Sequence, residues 1–371
     1  MRGHFRVIIS GGGTGGHIFP AISIADAIKS LYPDSEILFV GALGKMEMER
    51  VPAAGYKIIG LPVAGLKRKL DADNFKLPFK ILKSLKMAGK IIDEFKPDAV
   101  VGVGGYASGP MLWMAGQKGV PYLIQEQNSF AGLTNRILGR RAKKICVAYE
   151  GMERFFSGTK ILITGNPVRE GIVETTPEMK QAANEFFGLD SLKRTILVVG
   201  GSLGARTLNN CVKNWITNNK ESKIQIIWQY GKFYKGEIDA FMEKNRRDYV
   251  KESEFIKRMD HAFAAADVVI TRAGAGTISE LCIAKKACIF VPSPNVTEDH
   301  QTHNAMALVD KKAALLVEDA DAGKRLMDIA VTLAEDPKRV AEMENNISSL
   351  AYRNSAEIIA KEVIKLIEKQ L

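Results

Sequence analysis

The chain has 371 residues, of which 46% are hydrophobic and 25% charged, and its formal net charge is +10. That composition excludes a disordered or fibrous chain, and the length predicts two domains of ordinary size. The four cysteines form no Cys-x-x-Cys pair and no signal peptide is recognisable, so we expect a protein of the reducing cytoplasm without a cysteine-based zinc site. No apolar run approaches the length that spans a bilayer.

Apolar runs of strand length alternate with helical patterns along the whole chain, which is typical of a doubly wound parallel sheet. In the first half the predicted strands are 7–10, 37–40, 57–61, 99–103, 122–125, 145–148 and 161–164. In the second half they are 196–199, 224–228, 254–256, 268–271, 288–291 and 314–317. A last helix is predicted over 355–368. We therefore predict an α/β protein of two Rossmann-like, doubly wound parallel-sheet domains.

A glycine-rich turn occurs at equivalent places in the two halves, at 11–17 and, 189 residues later, at 200–206. Each copy follows a predicted strand and precedes a helical pattern. Glycine lets the backbone turn sharply there and brings its N–H groups to an anion at the positive end of a helix. We therefore expect a phosphate-bearing ligand in each half. Strand 37–40 ends in Gly41 rather than in the acidic residue that binds an NAD ribose, which argues against NAD.

Two side chains at predicted strand ends are candidates for a general base. His17 directly follows the first glycine turn, and an imidazole of ordinary pKa can accept a hydroxyl proton at neutral pH. Glu126 ends strand 122–125 and is the competing base, although a carboxylate there can equally be a structural cap. His300 and His303 have a spacing that metal sites use, but no carboxylate or cysteine completes a convincing set, so no metal site is expected.

The excess positive charge lies entirely in the first half of the chain. Residues 1–165 contain 23 Lys and Arg against 13 Asp and Glu, and the remainder contains 29 of each. The excess is densest around a helical stripe that consists of Phe75, Lys76, Phe79, Lys80, Leu82 and Lys83. This stripe is either an ordinary solvated helix face or a surface that binds anionic lipid headgroups while its apolar residues enter the bilayer. No nucleic-acid-binding motif is present.

Seven motifs, in the right order along essentially the whole chain, resemble the MurG family of bacterial peptidoglycan N-acetylglucosaminyltransferases. They are the segments 12–17, 104–110, 126–128, 165–169, 200–202 and 272–274, and Glu280. The resemblance implies the two-domain GT-B fold and transfer of GlcNAc from UDP-GlcNAc to the muramyl 4-hydroxyl of lipid I, with inversion, to give lipid II. It also implies that no cofactor or catalytic metal is needed.

The same resemblance implies a domain plan and a location. Residues 1–165 would form an acceptor and membrane-associating domain, 166–352 a UDP-GlcNAc-binding domain, and 353–371 a helix that packs back on the first domain. The enzyme would be peripheral at the cytoplasmic face of the inner membrane. Its partners would be UDP-GlcNAc, lipid I, the anionic membrane surface and other cell-wall synthesis proteins, with no nucleic acid.

The resemblance also assigns roles to individual residues. Donor contacts are expected from Thr14, Gly15, Gly16, Asn128, Arg169, Ser202, Ile256, Met259, Ala275, Gly276, Thr277, Glu280 and Gln301. Among these, Arg169 and Ser202 would meet the diphosphate, and Ile256 and Met259 would flank the uracil. Glu280 would take the ribose hydroxyls and Gln301 those of GlcNAc. The acceptor diphosphate is expected at Gly12, Gly13, Gly104, Gly105, Tyr106 and Ser108.

The catalytic residues implied by the resemblance are His17 as the base, Glu126 as the alternative base, and Asn128 beside the reacting sugars. Trp113 would join the membrane stripe. Two other interpretations stay open at this stage. One is an enzyme of the same fold that acts on UDP-GlcNAc without an acceptor, such as a 2-epimerase. The other is a non-catalytic membrane scaffold that keeps the nucleotide site.

Overall fold

A computed structural model describes residues 4–13, 15–63, 77–169, 171–296 and 299–369. The chain divides into two compact units. Unit 1 comprises Met1–Arg169 together with Tyr352–Leu371, and unit 2 comprises Glu170–Ala351. Three of the residues singled out above, Thr14, Phe75 and Lys76, lie outside the described residues.

Unit 1 is built on a parallel sheet of seven strands in the order β3-β2-β1-β4-β5-β6-β7. The strands are β1 (Arg6–Ser10), β2 (Glu36–Ala42), β3 (Lys57–Leu61), β4 (Ala99–Gly102), β5 (Tyr122–Glu126), β6 (Lys144–Val147) and β7 (Ile161–Ile163). The helices are α1 (Gly15–Leu31), α2 (Glu47–Ala53), α3 (Leu77–Phe95), α4 (Ser108–Gln117) and α5 (Leu133–Gly139), with α14 (Ser355–Glu368) from the end of the chain. The strand order reverses between β1 and β4.

Unit 2 is built on a parallel sheet of six strands in the order β10-β9-β8-β11-β12-β13. The strands are β8 (Arg194–Val199), β9 (Ile224–Gln229), β10 (Val250–Ser253), β11 (Val268–Thr271), β12 (Ala287–Phe290) and β13 (Leu315–Leu316). The helices are α6 (Pro177–Phe187), α7 (Arg206–Asn218), α8 (Lys235–Asn245), α9 (Met259–Ala265), α10 (Ala275–Ala284), α11 (His300–Val309), α12 (Asp319–Ala334) and α13 (Pro337–Ser348). Here the strand order reverses between β8 and β11.

These two sheets confirm the predicted fold class, and one predicted strand is wrong. Residues 254–256 were expected to form a strand because Phe255 and Ile256 are apolar, but the strand is β10, four residues earlier. β10 pairs only with β9 at the edge of its sheet, so it does not need the continuous apolar run of a central strand. The Ile256 N–H instead donates to Gln229 Oε1 (2.8 Å).

Successive side chains of a strand point to opposite sides of the sheet, so buried strands place apolar side chains on both faces. Helices cover both faces of each sheet. In unit 1, Val7 and Ile9 pack in one apolar cluster with α1 and α14, while Ile8 packs in a second cluster with α3 and α4. The last helix thus completes the core of unit 1, as its buried residues Ile359, Val363 and Ile367 show. Among the described residues, no helix combines the length and the apolarity required to cross a bilayer.

The α14 helix provides a test of this packing. Ile359→Ala removes a side chain that is 0% exposed and should lower the free energy of unfolding by about 2–5 kcal/mol, through lost burial and the cavity left behind. The neighbouring Ile358→Ala, at a position 38% exposed, should change it by no more than about 0.5 kcal/mol. Urea unfolding measures both values, and equal effects would contradict the burial of α14.

Candidate functional site

In open parallel sheets, ligands bind beyond the carboxyl ends of the strands, where the strand order reverses. In unit 1 that point lies between β1 and β4, and the glycine turns at 11–13 and 104–105 follow these two strands. The turns are in direct backbone contact. Gly105 has φ +82°, and a Cβ there would overlap the carbonyl oxygen of Gly12. Only glycine therefore allows the two turns to meet.

His17 lies at this edge of the sheet, in the first turn of α1, and is half-buried. Its ring rests on the second glycine turn, since a Cβ added to Gly104 would lie 2.8 Å from His17 Cδ2 and 2.9 Å from Nε2. The Gln127 Oε1 atom is 3.5 Å from the same point. The imidazole is thus held beside the amides of the 104–105 turn, where a strand-end ligand would be bound.

The two polar residues that follow the second turn differ in exposure. Tyr106 is exposed, whereas Ser108 is fully buried. The Ser108 hydroxyl lies 2.7 Å from the carbonyl oxygen of Ser10 and 2.9 Å from that of Gly104, so it can donate to either. It therefore ties the end of β1 to the start of α4, and this contact engages the hydroxyl that we expected at the acceptor diphosphate.

Glu126 is buried at the end of β5 and is surrounded by donors from the loop that follows and from α5. Its Oε1 accepts hydrogen bonds from the N–H (3.0 Å) and Nδ2 (3.3 Å) of Asn128. Its Oε2 accepts from the N–H of Gly132 (3.3 Å) and from Nδ2 of Asn135 (2.8 Å). Burial raises the pKa of the Glu126 carboxyl, and these four bonds oppose that shift. This geometry favours the structural cap over the base.

A buried network of amide side chains, which was not predicted from the sequence, lies next to this edge of the sheet. Gln125 Nε2 donates to Asn166 Oδ1 (2.9 Å), and Asn166 Nδ2 donates to the carbonyl oxygen of Gln127 (3.1 Å). Gln127 Nε2 donates to the carbonyl oxygen of Val103 (2.7 Å). These bonds anchor the segment that leads to Arg169. Gln and Asn residues that alternate at the end of a strand form no recognisable sequence motif, so only the structure identifies this network.

In unit 2 the strand order reverses between β8 and β11, and the corresponding turns follow these strands. Ser202 is exposed in the first turn, while the carbonyl oxygen of Gly201 accepts from Gln229 Nε2 (3.1 Å). The second turn leads into α10, whose first residues are Ala275, Gly276 and Thr277. The amides of a first helical turn lack intrahelical acceptors and attract anions. This end of α10 is thus suited to a phosphate group.

Four of the other expected donor residues also lie in unit 2, whereas Gly15, Gly16, Asn128 and Arg169 lie in unit 1. Ile256 and Met259 are both buried, at the end of the loop after β10 and at the start of α9. Glu280 is buried in α10. Gln301, in α11, accepts the N–H of Ser293 through Oε1 (2.8 Å) and so shapes the loop after β12.

The expected membrane residues are separate from these strand-end turns. Phe79, Lys80, Leu82 and Lys83 lie on α3, and Trp113 lies on α4, which packs against α3. Within the described part of the chain, no group of three His, Cys, Asp or Glu side chains is arranged to hold a metal ion.

Comparison with known proteins identifies the family. Family models for the N-terminal and C-terminal domains of glycosyltransferase family 28 match residues 7–147 and 195–363. The chain therefore belongs to glycosyltransferase family 28. It is 55% identical, over 99% of both chains, to a Parabacteroides distasonis protein named UDP-N-acetylglucosamine--N-acetylmuramyl-(pentapeptide) pyrophosphoryl-undecaprenol N-acetylglucosamine transferase.

Solved structures agree with this assignment. The crystal structure of Acinetobacter baumannii MurG matches with a TM-score of 0.77 and 30% identity, covering 97% of this chain and 99% of that one. The resemblance drawn from the sequence motifs is therefore confirmed. A UDP-GlcNAc 2-epimerase from Neisseria meningitidis matches with a TM-score of 0.66 but 12% identity, over 98% of this chain and all of that one, which shows a shared fold alone.

The contact between the two glycine turns of unit 1 can be tested with a matched pair of substitutions. Gly119→Ala, at φ +73° with open space around it, should cost roughly 1–2 kcal/mol from backbone strain. Gly105→Ala carries a similar strain and also the overlap with Gly12, which should add about 1–3 kcal/mol of overpacking. Equal losses of unfolding free energy in urea would show that the turns are not in tight contact.

Proposed function

We infer that this protein is a UDP-GlcNAc-dependent hexosyltransferase that moves GlcNAc to undecaprenyl-diphospho-MurNAc-pentapeptide (lipid I) and gives lipid II for peptidoglycan. The observation that carries this conclusion is the 55% identity, over 99% of both chains, to a relative named for that transfer. The architecture agrees with it, because both sheets bring glycine turns and helix N-termini to the point where the strand order reverses.

The donor is proposed to bind in unit 2. A nucleoside diphosphate needs positive dipoles for its phosphates, and the first turn of α10 supplies them at Ala275, Gly276 and Thr277. The buried carboxylate of Glu280, further along the same helix, is suited to accept two hydrogen bonds from a ribose diol. Ile256 and Met259 offer apolar surface for a uracil, and Gln301 an amide for the sugar.

The acceptor is proposed to bind in unit 1, at the two glycine turns and the first residues of α1. The amides of Gly15 and Gly16 start this helix and are suited to a phosphate group. The second turn adds the backbone of Gly104, Gly105 and Tyr106. Asn128 is the polar residue proposed beside the reacting sugars.

The reaction is proposed as a single in-line displacement. The acceptor 4-hydroxyl oxygen forms a bond to the anomeric carbon of GlcNAc as the bond from that carbon to UDP breaks, which inverts the configuration. His17 takes the hydroxyl proton on its imidazole. The departing diphosphate keeps the electron pair, and Arg169, Ser202 and the N-terminus of α10 are proposed to stabilise its charge. With these groups in place, we propose that transfer needs no metal ion.

The lipid acceptor implies that the enzyme works at a membrane surface, and we propose that α3 and α4 form the contact. Phe79 and Leu82 are 75% and 64% exposed on α3, next to Lys80 and Lys83. Trp113 is 44% exposed on α4, and the Arg141 guanidinium lies 5.7 Å from its ring centroid. Exposed apolar residues interleaved with cations suit an anionic headgroup layer. The protein would then be peripheral at the cytoplasmic face of the inner membrane.

The transfer itself is tested by UDP release from UDP-GlcNAc, measured with a chelator present. We expect release that depends on a short-chain lipid I analogue. No UDP release in either condition, with UDP-GlcNAc converted to its 2-epimer, would favour the 2-epimerase. UDP-GlcNAc binding without any turnover would favour the scaffold. A strict requirement for a divalent cation would contradict the metal-free proposal.

The role of His17 predicts a specific kinetic loss. His17→Ala should lower kcat by about 100- to 10,000-fold, the usual contribution of a general base, and leave the affinity for UDP-GlcNAc unchanged. His4→Ala is the matched control, because His4 is an exposed histidine of the same unit, paired with Glu36. Turnover of His17→Ala at the wild-type rate would remove this residue from the mechanism.

The membrane surface predicts a loss of vesicle binding on charge reversal. Replacing Lys80, Lys83 and Lys86 by Glu should weaken binding to phosphatidylglycerol vesicles by about 100-fold, at about 1 kcal/mol for each lysine. Turnover of a water-soluble acceptor analogue should be unchanged. The control reverses three exposed lysines of unit 2, which are Lys220, Lys223 and Lys244. If both triple variants bind vesicles equally, the α3 face is an ordinary solvated surface.

A further inference from the structure

Glu47 is a buried carboxylate to which none of the roles above applies. It is the first residue of α2 and is 1% exposed. A charged side chain is almost never buried to this degree without partners. Because β1 and β2 are neighbours in the sheet, the start of α2 lies close to the turn that follows β1.

Both oxygens of this carboxylate accept hydrogen bonds from backbone amides at two different strand ends. Oε2 accepts the N–H of Gly13, in the first glycine turn, at 2.9 Å. Oε1 accepts the N–H of Ala42, the last residue of β2, also at 2.9 Å. A Cβ on Gly12 would overlap the carboxylate. The first glycine turn is thus folded around the Glu47 side chain.

The same turn supports the groups proposed to act on the acceptor. The Gly12 carbonyl packs against Gly105, and the His17 ring packs against Gly104. We propose that Glu47 is a positioning residue of the transfer reaction, whose carboxylate holds the first glycine turn in the conformation on which the 104–105 turn and His17 are packed. This inference rests on the proposed function, because it concerns the acceptor half of that reaction.

One consequence concerns where the acceptor phosphates bind. The Gly13 amide is already engaged by a carboxylate, and a phosphate at that amide would be repelled by a negative charge in a buried setting. The amides of the first turn of α1 and of the 104–105 turn therefore serve the diphosphate instead. Glu47 restricts the anion to the side of the turn on which His17 lies.

The chemistry of the contact dictates which substitutions are informative. The side-chain amide of an E47Q variant would offer one oxygen acceptor and one NH₂ donor. The oxygen could accept one of the two backbone N–H groups, but the NH₂ group would face the other N–H, and two donors cannot form a hydrogen bond. E47D keeps the charge but is one methylene shorter, so it cannot span both amides from the same backbone position. Both changes are nearly conservative in volume.

Asp98→Asn is the matched control. Asp98 Oδ2 accepts the N–H of Arg6 (2.7 Å), so this carboxylate also caps β1, but at the amino end of the strand, away from the turns. The side-chain oxygen of Asn can still accept this bond, so D98N removes a carboxylate charge from unit 1 and leaves the contact in place. It should leave the geometry of the glycine turns unchanged.

The experiment measures steady-state constants for both substrates, with each variant normalised to its UDP-binding stoichiometry. For E47Q we expect kcat/KM for the lipid I analogue to fall about 10- to 100-fold, as misplacement by about 1 Å does, while KM for UDP-GlcNAc stays within about twofold. E47D should show the same selective loss. D98N should keep both constants. Unchanged acceptor constants in E47Q, or an equal loss in D98N, would overturn the inference.

Amide hydrogen exchange separates this inference from the proposed function. If Glu47 holds the turns together, E47Q should exchange faster at both 10–17 and 103–106, whether or not the wild type transfers GlcNAc. Faster exchange confined to 10–13 would overturn the coupling between the turns. Wild-type protein that releases no UDP in the presence of the analogue would instead contradict the transferase itself.

Discussion

The backbone contact between Gly12 and Gly105 constrains the whole carboxyl edge of the first sheet. β1 and β4 are adjacent parallel strands, about 4.8 Å apart, and the helices that follow them pack on opposite faces of the sheet. The two turns therefore start from adjacent strand ends and lead to opposite faces of the sheet. Where they pass each other, there is no room for a Cβ atom between them. The two turns thus meet through their backbones, and the His17 ring rests on Gly104.

The charged side chains at the strand ends differ between the two units. In unit 1, carboxylates accept hydrogen bonds from backbone N–H groups. Glu47 accepts them from Gly13 and Ala42, and Glu126 accepts one from Gly132 in the loop after β5. In unit 2, a cationic side chain donates hydrogen bonds to backbone carbonyl oxygens. The Arg272 guanidinium donates to the carbonyl oxygens of Val291 (2.9 Å) and Pro292 (3.1 Å) and to Asp319 Oδ1 (2.5 Å). Arg272 thereby ties the end of β12 to the start of α12.

Much of the fold was predictable from the sequence, because buried parallel strands are continuous apolar runs and the turns between them need glycine. The edge strand β10 was misplaced since its residues are mostly polar and only its pairing with β9 defines it. The site was predictable where the location follows from chain position, as for His17, which lies at the carboxyl edge of the sheet after a glycine turn. It was not predictable where a role depends on partners distant in sequence. No pattern distinguishes Glu47, which is buried, from Glu49, which is exposed.

His17 and Glu126 illustrate why position alone does not identify a base. Both follow strands of the same sheet, and both have side chains able to accept a proton. The four donors around Glu126 belong to the following loop and to Asn135 of α5, so protonating one carboxylate oxygen would weaken bonds that hold residues 128–135 in place. Proton transfer there would therefore carry a structural cost in every catalytic cycle. The His17 ring packs against Gly104, and a packing contact does not depend on the charge of the ring. A base must gain and lose a proton without losing its place, and this requirement favours His17 over Glu126 as the proposed base.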